Sequence, residues 1–172
     1  MMPLIRPTRE SDLSLLPAIE RSSGEVFRTV PELAWIADDD VQSAEAHREF
    51  LRTGLSVVMV DASDRPIAFL CATVADDAMH IWQLAVEAER QGQGLGRTLM
   101  LAAIAHARVT SRAAVTLTTF RDLAWNEHFY CKLGFVTLDA GELDPRLAEI
   151  LANEAAHGLP AERRCAMRLK LA

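Results

Sequence analysis

Hydrophobic positions in the first half of the chain form three short apolar runs separated by polar turns. The runs "LSVVMVD", "IAFLCATV" and "MHIWQLAV" are rich in apolar and β-branched residues, and the turns "ASDRP" and "ADDA" lie between them. Apolar runs of this length joined by turn residues are typical of strands connected by hairpins. The segment therefore predicts three consecutive antiparallel strands.

The residues before these strands show helical spacing of their apolar positions. A short strand, "LIRPT", opens the chain, and the helix predicted after it has Thr8 or Ser11 as its N-cap. Residues 24–54 predict one or two further short helices, broken near Pro31 and restarting around Ser43. A break is expected at the proline because its ring removes the amide that a helix interior needs.

The second half of the chain alternates between helical and strand periods. The predicted elements are a helix over 97–110, a strand over 113–120, a helix over 123–134, a strand over 135–140, a helix over 144–158 and a closing strand over 164–171. Gly134 and Gly158 stand at the ends of the two later helices, where a C′ glycine is common. This alternation predicts an α/β chain.

Composition and charge narrow the class of protein. The 172 residues, 50% hydrophobic and 24% charged, have a globular balance, and their number predicts one domain over 1–172. No apolar run is long enough for a membrane span or a signal peptide, which predicts a cytoplasmic protein with no membrane partner. The 18 basic and 24 acidic residues give a net charge of −6, which argues against a nucleic-acid partner.

Cysteines and histidines show no metal or disulfide pattern. Cys71, Cys131 and Cys165 are odd in number and lack C-x-x-C spacing, so each is predicted to be a small core residue. The histidines have no metal-ligand spacing with one another, and no metal is predicted.

The stretch "RQGQGLGRTLM", residues 90–100, places three glycines between a predicted strand and a predicted helix. Glycines let the main chain adopt left-handed angles and approach a ligand closely, and a helix N-terminus offers unpaired amides to an anion. A Rossmann fingerprint should follow the first strand of a parallel unit, whereas this loop follows an antiparallel meander. A Walker loop is excluded because no Gly-Lys-Ser or Gly-Lys-Thr closes the segment.

The whole pattern resembles the GNAT superfamily of acetyl-CoA-dependent N-acetyltransferases. The signature Q/R-x-x-G-x-G/A of that family matches Gln91, Gly94 and Gly96, and "NEHFYCKLGF" matches its second landmark. The resemblance covers essentially the full chain. It implies an α/β fold of the α+β type, with a mixed, mostly antiparallel sheet of six or seven strands, splayed in the middle, and helices on both faces.

The resemblance also implies a coenzyme site. Its loop amides would bind the pyrophosphate of acetyl-CoA, and the strand before the loop would pair with the pantetheine arm. The residues implied for the site are Leu84, Ala85, Val86, Gln91, Gly92, Gln93, Gly94, Leu95, Gly96, Arg97 and Asn126.

Tyr130 and His80 are the predicted catalytic residues. Tyr130 matches the tyrosine that in many GNAT enzymes protonates the departing sulfur, and the alternative is a core aromatic packed with Phe129 and Phe135. His80 occupies a position where histone-type members place a glutamate base, and a pKa near 6.5 suits histidine to that role. The alternative for His80 is a partly exposed polar residue at the start of a strand.

Other residues could replace these two in a base or binding role. Glu87, Asp122 and Glu25 are fallback bases, although the sequence favours a solvated surface carboxylate for each, and many family members use only ordered waters. A common family pattern has an asparagine where this chain has Leu123. Asn126 is then open to two interpretations, a hydrogen bond to the pantetheine amide or a cap on its own helix.

The acceptor is predicted to bind against the first two helices. Glu20, Glu25, Phe27 and Trp35 in this segment would make an acidic, aromatic-lined pocket for an amine, or are ordinary surface and core residues. The leading function is acetyl transfer to a small-molecule primary amine by direct attack in a ternary complex. The alternatives are a protein N-terminal or lysine acetyltransferase, and an acyl-CoA-binding sensor with little or no activity. A homodimer is compatible with the resemblance.

Overall fold

A computed structural model describes residues 2–172 of the chain. Its seven strands are β1 (Leu4–Pro7), β2 (Leu55–Val60), β3 (Pro66–Ala75), β4 (Ala78–Val86), β5 (Ala114–Phe120), β6 (Val136–Thr137) and β7 (Arg164–Lys170). They form one sheet in the order β1-β2-β3-β4-β5-β7-β6. The β4–β5 pair is parallel, whereas β1–β2, β2–β3, β5–β7 and β6–β7 are antiparallel. This confirms the predicted mixed, mostly antiparallel sheet; the splay in its middle stays a prediction.

Five α-helices accompany the strands among residues 2–172. They are α1 (Leu16–Ser23), α2 (Ala44–Thr53), α3 (Leu95–Val109), α4 (Glu127–Cys131) and α5 (Pro145–Ala156). Between α1 and α2 the chain forms two 3-10 helices, Gly24–Thr29 and Pro31–Asp38, which pack against each other. No helix in residues 2–172 combines the length and apolar character that a membrane span requires.

The chain divides into two compact units. The first runs to Thr73 and resumes over Trp82–Ile104, and the second comprises Val74–Ile81 and Ala105–Ala172. The prediction of a single domain over 1–172 stays a prediction.

In the first unit, helix α1 packs on the strands β2 and β3. Its core holds Leu13, Leu16, Ile19, Val58, Val60, Phe69, Cys71 and Ala85. Helix α2 begins where it was predicted, because the Ser43 hydroxyl accepts a hydrogen bond from the Ala46 amide at 3.1 Å. At its other end Gly54 is required, since a Cβ there would lie 2.2 Å from the Ala72 carbonyl oxygen.

The predicted N-cap of the first helix is wrong. Helix α1 begins at Leu16, with Pro17 in its first turn, and no side chain caps it. Proline suits this position because the amides of a first helical turn have no intrahelical partner to lose. Thr8 instead accepts a hydrogen bond from the Ser56 hydroxyl at 2.8 Å, and Ser11 lies in a separate 3-10 turn.

In the second unit, β5 and β7 form the longest antiparallel pair, and β6 extends this pair beyond β7. Helix α5 packs Leu147 and Ile150 against Leu138 and Ala166. The Asp144 carboxylate caps α5 by accepting from the Leu147 amide at 2.8 Å.

Two predicted elements of this unit are shorter than the sequence indicated. The helix predicted over 123–134 is α4 alone, because Asp122 has φ 59° and Asn126 has φ −126° and ψ −108°, all outside helical geometry. The strand predicted over 135–140 is reduced to β6, since Asp139 starts a 3-10 turn closed by a reciprocal cap with Glu142.

All three cysteines are free thiols. Cys71 and Cys165 are buried as predicted, but Cys131 is exposed on α4, so its assignment to the core is wrong.

Candidate functional site

The glycine loop joins the end of β4 to the start of α3. Gly92 and Gly94 have φ angles of 76° and 80°, and an added Cβ at either would meet no heavy atom within 4 Å. The glycines are therefore required by backbone angle and not by crowding. Directly after them α3 begins at Leu95 and continues for 15 residues, so its first amides and its positive dipole end face the loop.

Gly96 differs from the other two glycines. It lies inside the first turn of α3 and is not among the residues with positive φ. Thr98 closes this turn: its amide and its hydroxyl both donate to the Gly94 carbonyl, at 3.1 Å and 3.0 Å. The amides of 95–97 belong to the part of a helix that has no intrahelical acceptor, and amides of this kind can donate hydrogen bonds to an anion.

The signature residue Gln91 binds protein atoms. Its side-chain nitrogen donates to the carbonyls of Ser23, at 3.2 Å, and Val86, at 3.1 Å. The side chain thereby ties the loop to the end of α1 and to the end of β4.

Two serines at the end of α1, which no sequence motif indicated, bind the same region. The Ser22 hydroxyl accepts from the Ala88 amide at 2.9 Å, and the Ser23 hydroxyl accepts from the Val86 amide at 3.3 Å. Adjacent serines at a helix end are common, so the pair alone does not predict these contacts. The backbone partners also lie more than 60 positions away in sequence, beyond the reach of any local motif.

The strand residues predicted to pair with a pantetheine arm are Leu84, Ala85 and Val86. Both backbone polar groups of Val86 already have partners, the Ser23 hydroxyl and the Gln91 side chain. Leu84 and Ala85 are therefore better candidates than Val86 for main-chain pairing with a pantetheine arm.

The acidic candidates of the acceptor segment have contrasting surroundings. Glu25 is exposed and forms a 2.8 Å ion pair with Arg28, which also binds Asp38 at 2.7 Å. Trp35 is 40% exposed, and Phe27 is half-buried in the neighbouring 3-10 helix. Glu25 is thus already paired with a cation, which leaves its carboxylate less available to an amine.

Glu20, by contrast, is half-buried on α1. Burial raises the pKa of its carboxyl to about 7, opposed by the Gln42 amide and the charge of Arg21. Its carboxylate oxygens accept from the Gln42 amide at 3.3 Å and 3.4 Å. The charge of Glu20 in turn adds to the burial that raises the pKa of the Cys71 thiol on β3.

His80 lies within the second unit and is 1% exposed. It is opposite Thr116 in the parallel β4–β5 ladder, and its Nδ1 lies 2.9 Å from the Thr116 hydroxyl, which also accepts from Arg146 at 3.1 Å. Burial, reinforced by the positive charge of Arg146, lowers the pKa of His80 to about 3. The imidazole is neutral at physiological pH and a much weaker base than a free histidine.

Tyr130 lies on α4 in an aromatic cluster. Its ring packs edge-on against Phe129 and Phe135, with centroids 5.0 Å and 5.8 Å away. Burial raises the pKa of Tyr130 to about 12, although the charge of Arg164 opposes the shift. The phenol is therefore fully protonated at neutral pH, as a proton donor must be, and the same contacts also fit the alternative of a core aromatic.

The remaining predicted residues have specific partners. Asn126 is the N-cap residue of α4, but its side chain makes no capping hydrogen bond, so the prediction that this side chain caps the helix is wrong. Its side-chain oxygen accepts from the Phe120 amide at 3.4 Å. The fallback base Glu87 forms a bidentate ion pair with Arg65, at 2.7 Å and 3.1 Å. Asp122 stays an exposed carboxylate at a left-handed turn position.

The fold and the glycine loop define a class of protein. The sequence matches the acetyltransferase (GNAT) family over residues 23–135, and the chain belongs to that family. The matched region includes β2 to β5, the loop and α4, so the family predicted from the two motifs is confirmed.

Two curated relatives of this chain are mycothiol acetyltransferases. It is 31% identical to a mycothiol acetyltransferase of Actinosynnema mirum over 130 residues, which are 75% of this chain and 42% of that protein. The chain thus spans less than half the length of the curated relatives it matches, 42% and 41% for two such enzymes.

Solved structures share the fold at low sequence identity. The PaiA N-acetyltransferase of Thermoplasma acidophilum, in complex with coenzyme A, aligns with a TM-score of 0.74 at 19% identity, over 99% of this chain and 100% of that one. The ribosomal-protein-S18-alanine N-acetyltransferase of Escherichia coli aligns with a TM-score of 0.68 at 18% identity, over 99% and 95%.

Proposed function

We propose that this protein transfers an acetyl group from acetyl-CoA to a primary amine of a small molecule, by direct attack in a ternary complex. The observation that carries the proposal is the turn made by Gly92 and Gly94, which leads into the unpaired first amides of a 15-residue helix. Family membership supplies the reaction class.

The loop fits a diphosphate on its own chemistry. Its left-handed glycines leave open space where side chains would stand, and the amides of 95–97 together with the helix dipole favour negative charge. Arg97 is exposed on the first turn of α3 and would add a positive charge. Leu84 and Ala85 would pair with the pantetheine arm. Bound acetyl-CoA would supply an activated acyl thioester.

Tyr130 is the proposed proton donor to the leaving sulfur, and the support is the family motif together with its neutral phenol. His80 was the predicted base, but its burial and low pKa reduce its ability to accept a proton near pH 7. The Asn126 side chain is proposed to form a hydrogen bond with the pantetheine amide of the coenzyme.

A small-molecule amine is proposed in preference to a protein substrate because the acceptor segment displays no extended basic or peptide-docking feature. The names of relatives include both kinds, a mycothiol acetyltransferase and a ribosomal-protein-alanine N-acetyltransferase. We further propose that the protein acts in the cytoplasm and assembles as a homodimer.

The second candidate function is a coenzyme-binding sensor without transfer activity. The deep burial of His80 favours it, because a sensor needs no base. The two functions differ in one measurement, the release of free thiol when an amine is added.

The test combines calorimetry with a thiol-release assay. We expect association with coenzyme A and acetyl-CoA, and thiol release that depends on at least one amine in a panel of amino sugars, amino acid amides, polyamines and short peptides. Coenzyme binding without any amine-dependent release supports the sensor. Absence of coenzyme binding by the folded protein would contradict both.

A further inference from the structure

Resting on the proposed function, we propose that Glu20 is the residue of this protein that receives the proton of the acceptor amine. The carboxylate lies on α1 in the first unit, the unit that also contains the end of β4 and the glycine loop.

The Glu20 carboxylate has no cation partner in the part of the chain that the structure describes. Among residues 2–172 its hydrogen bonds come from the Gln42 amide, at 3.3 Å and 3.4 Å, and no lysine or arginine forms an ion pair with it. Buried carboxylates are normally paired, because an isolated charge is costly to remove from water. A half-buried and unpaired carboxylate is a site for a cation from outside the protein, and an ammonium group is such a cation.

The position of Glu20 is fixed with respect to the coenzyme strand. Ser23 follows Glu20 by three residues on the same helix, so the two share a face. That face contacts the end of β4, because the Ser23 hydroxyl accepts from the Val86 amide at 3.3 Å. The Gln91 side chain holds the Ser23 carbonyl from the loop.

The groups around Glu20 explain its acidity. Arg21, on the same helix, lowers the pKa of Glu20 but is exposed and directs its own guanidinium to the Asp39 carbonyl, 3.4 Å away. Across from α1, β3 presents the buried Cys71, a thiol that is protonated at neutral pH, and Gln42 offers a neutral amide. Burial therefore dominates, and the carboxyl pKa of about 7 lies where a general base works best.

The step conserves atoms and charge. A bound ammonium gives one proton to a Glu20 oxygen, and the freed nitrogen lone pair forms a bond to the thioester carbonyl carbon. The C–S bond breaks, its electron pair leaves on sulfur, and the thiolate takes a proton from the proposed donor Tyr130. The nitrogen then gives its second proton to solvent, Glu20 returns its own proton there, and Tyr130 is reprotonated from solvent. The products are an N-acetyl amide, a free thiol and one released proton.

The acidity of Glu20 also selects among amines. An α-amino group has a pKa of about 8, so giving its proton to a carboxyl of pKa about 7 is unfavourable by only about tenfold. A lysine-type ammonium has a pKa of about 10.4, and the same transfer is unfavourable by more than about a thousandfold. The site therefore favours weakly basic primary amines over lysine-type amines.

Steady-state kinetics test the assignment. The probes are glycinamide and glucosamine as weakly basic amines and Nα-acetyl-lysine as the strongly basic one. We expect Glu20→Gln to lower kcat/KM by about 100-fold or more, with loss of the limb near pH 7 in the pH profile, and Glu20→Asp to restore part of it. Glu149→Gln on α5 is the matched control, because Glu149 is exposed on a helix of the other unit.

Three kinetic results would overturn the proposal. They are a Glu20→Gln variant within about twofold of the natural protein, an unchanged pH profile, and a larger loss in Glu25→Gln than in Glu20→Gln. Calorimetry with coenzyme A on every variant distinguishes failure of the proposed function from failure of the Glu20 assignment. Coenzyme binding tests the proposed function, and we expect Glu20→Gln to leave the coenzyme affinity unchanged.

Two further measurements decide the role of Glu20 even if no probe is acetylated. Carbon-13 NMR of labelled glutamate should give one carboxyl with a midpoint near pH 7, absent in Glu20→Gln, and glycinamide should lower that midpoint. The second measurement is the pH dependence of stability. Burial of the charged carboxylate opposes folding, so the stability of the natural protein should fall as pH rises from about 4.5 to 7. Glu20→Gln removes this charge and should therefore raise Tm more at pH 8 than at pH 5. A midpoint near 4.5, or one unmoved by the amine, would contradict the assignment.

Discussion

The Ser22 hydroxyl accepts a hydrogen bond from the Ala88 backbone amide at 2.9 Å. This contact joins the C-terminal end of α1 to the segment between β4 and the glycine loop, residues separated by 66 positions. Together with the Ser23 and Gln91 contacts, it makes the end of the helix a support for the loop.

Removing this hydroxyl should therefore destabilise the first unit. Ser22→Ala leaves the Ala88 amide without its side-chain acceptor, and we expect a loss of about 1 kcal/mol in the free energy of unfolding. Urea denaturation measures the change. Ser14→Ala, at an exposed serine, is the matched control, and equal stability of the two variants would show that the Ser22 contact contributes nothing.

The left-handed glycines predict a second effect. Gly94→Ala places a side chain at φ 80°, which costs about 1–2 kcal/mol, and the loop can lower this cost only by rotating the amides that are proposed to bind the diphosphate. We expect weaker coenzyme A binding by calorimetry. Gly141→Ala is the control, since Gly141 also has open space but no positive φ, and equal affinities would argue against the loop as the diphosphate site.

Tyr130→Phe tests the proposed acid. The phenyl ring keeps the packing on Phe129 and Phe135, so fold and coenzyme affinity should be unchanged, while kcat falls by about 100-fold if the hydroxyl supplies the proton. Stopped assays with an amine substrate and calorimetry measure the two quantities. An unaffected kcat would leave Tyr130 as a core aromatic only.

The burial of His47 predicts that the free energy of unfolding decreases at acid pH. The ring is fully buried against Phe69 with centroids 4.9 Å apart, and neither ring nitrogen has a hydrogen-bond partner among residues 2–172. Burial lowers the pKa of His47, so the unfolded chain binds a proton near pH 6.5 that the folded chain does not. Stability should therefore fall as pH drops below about 6.5 and stay level with respect to this group above it.

The matched experiment replaces His47 with leucine. His47→Leu should reduce the fall in Tm between pH 7.5 and pH 5.5, because the proton uptake of the unfolded chain is removed at that position. His157→Gln, at an exposed histidine, should leave the fall unchanged. A pH dependence identical in all three proteins would show that His47 does not govern it.

Local signals account for what the sequence predicted well. The strands before the loop, the loop itself, the cap at Ser43 and the start of α5 near Pro145 follow from hydrophobic period, glycine and capping residues within a few positions of each other. The family resemblance rested on two such local motifs.

Contacts between distant segments account for what it did not predict. The sequence predicts His80 to be a base or a partly exposed polar residue, whereas it is buried. Periodicity predicts which face of a strand a side chain is on, but it does not predict what covers that face. The unpaired carboxylate of Glu20 and the paired one of Glu25 look alike in sequence, because the difference lies in Arg28, Asp38 and Gln42. Cys131 was placed in the core for its residue type alone.

The proposed diphosphate site of the glycine loop uses main-chain amides, and this determines which substitutions the loop can tolerate. Gln93 contributes a peptide group that every amino acid except proline possesses, so its exposed side chain can be replaced without loss of that group. Gly92 and Gly94 differ from it, because at φ 76° and 80° any residue with a side chain would strain the backbone of the loop.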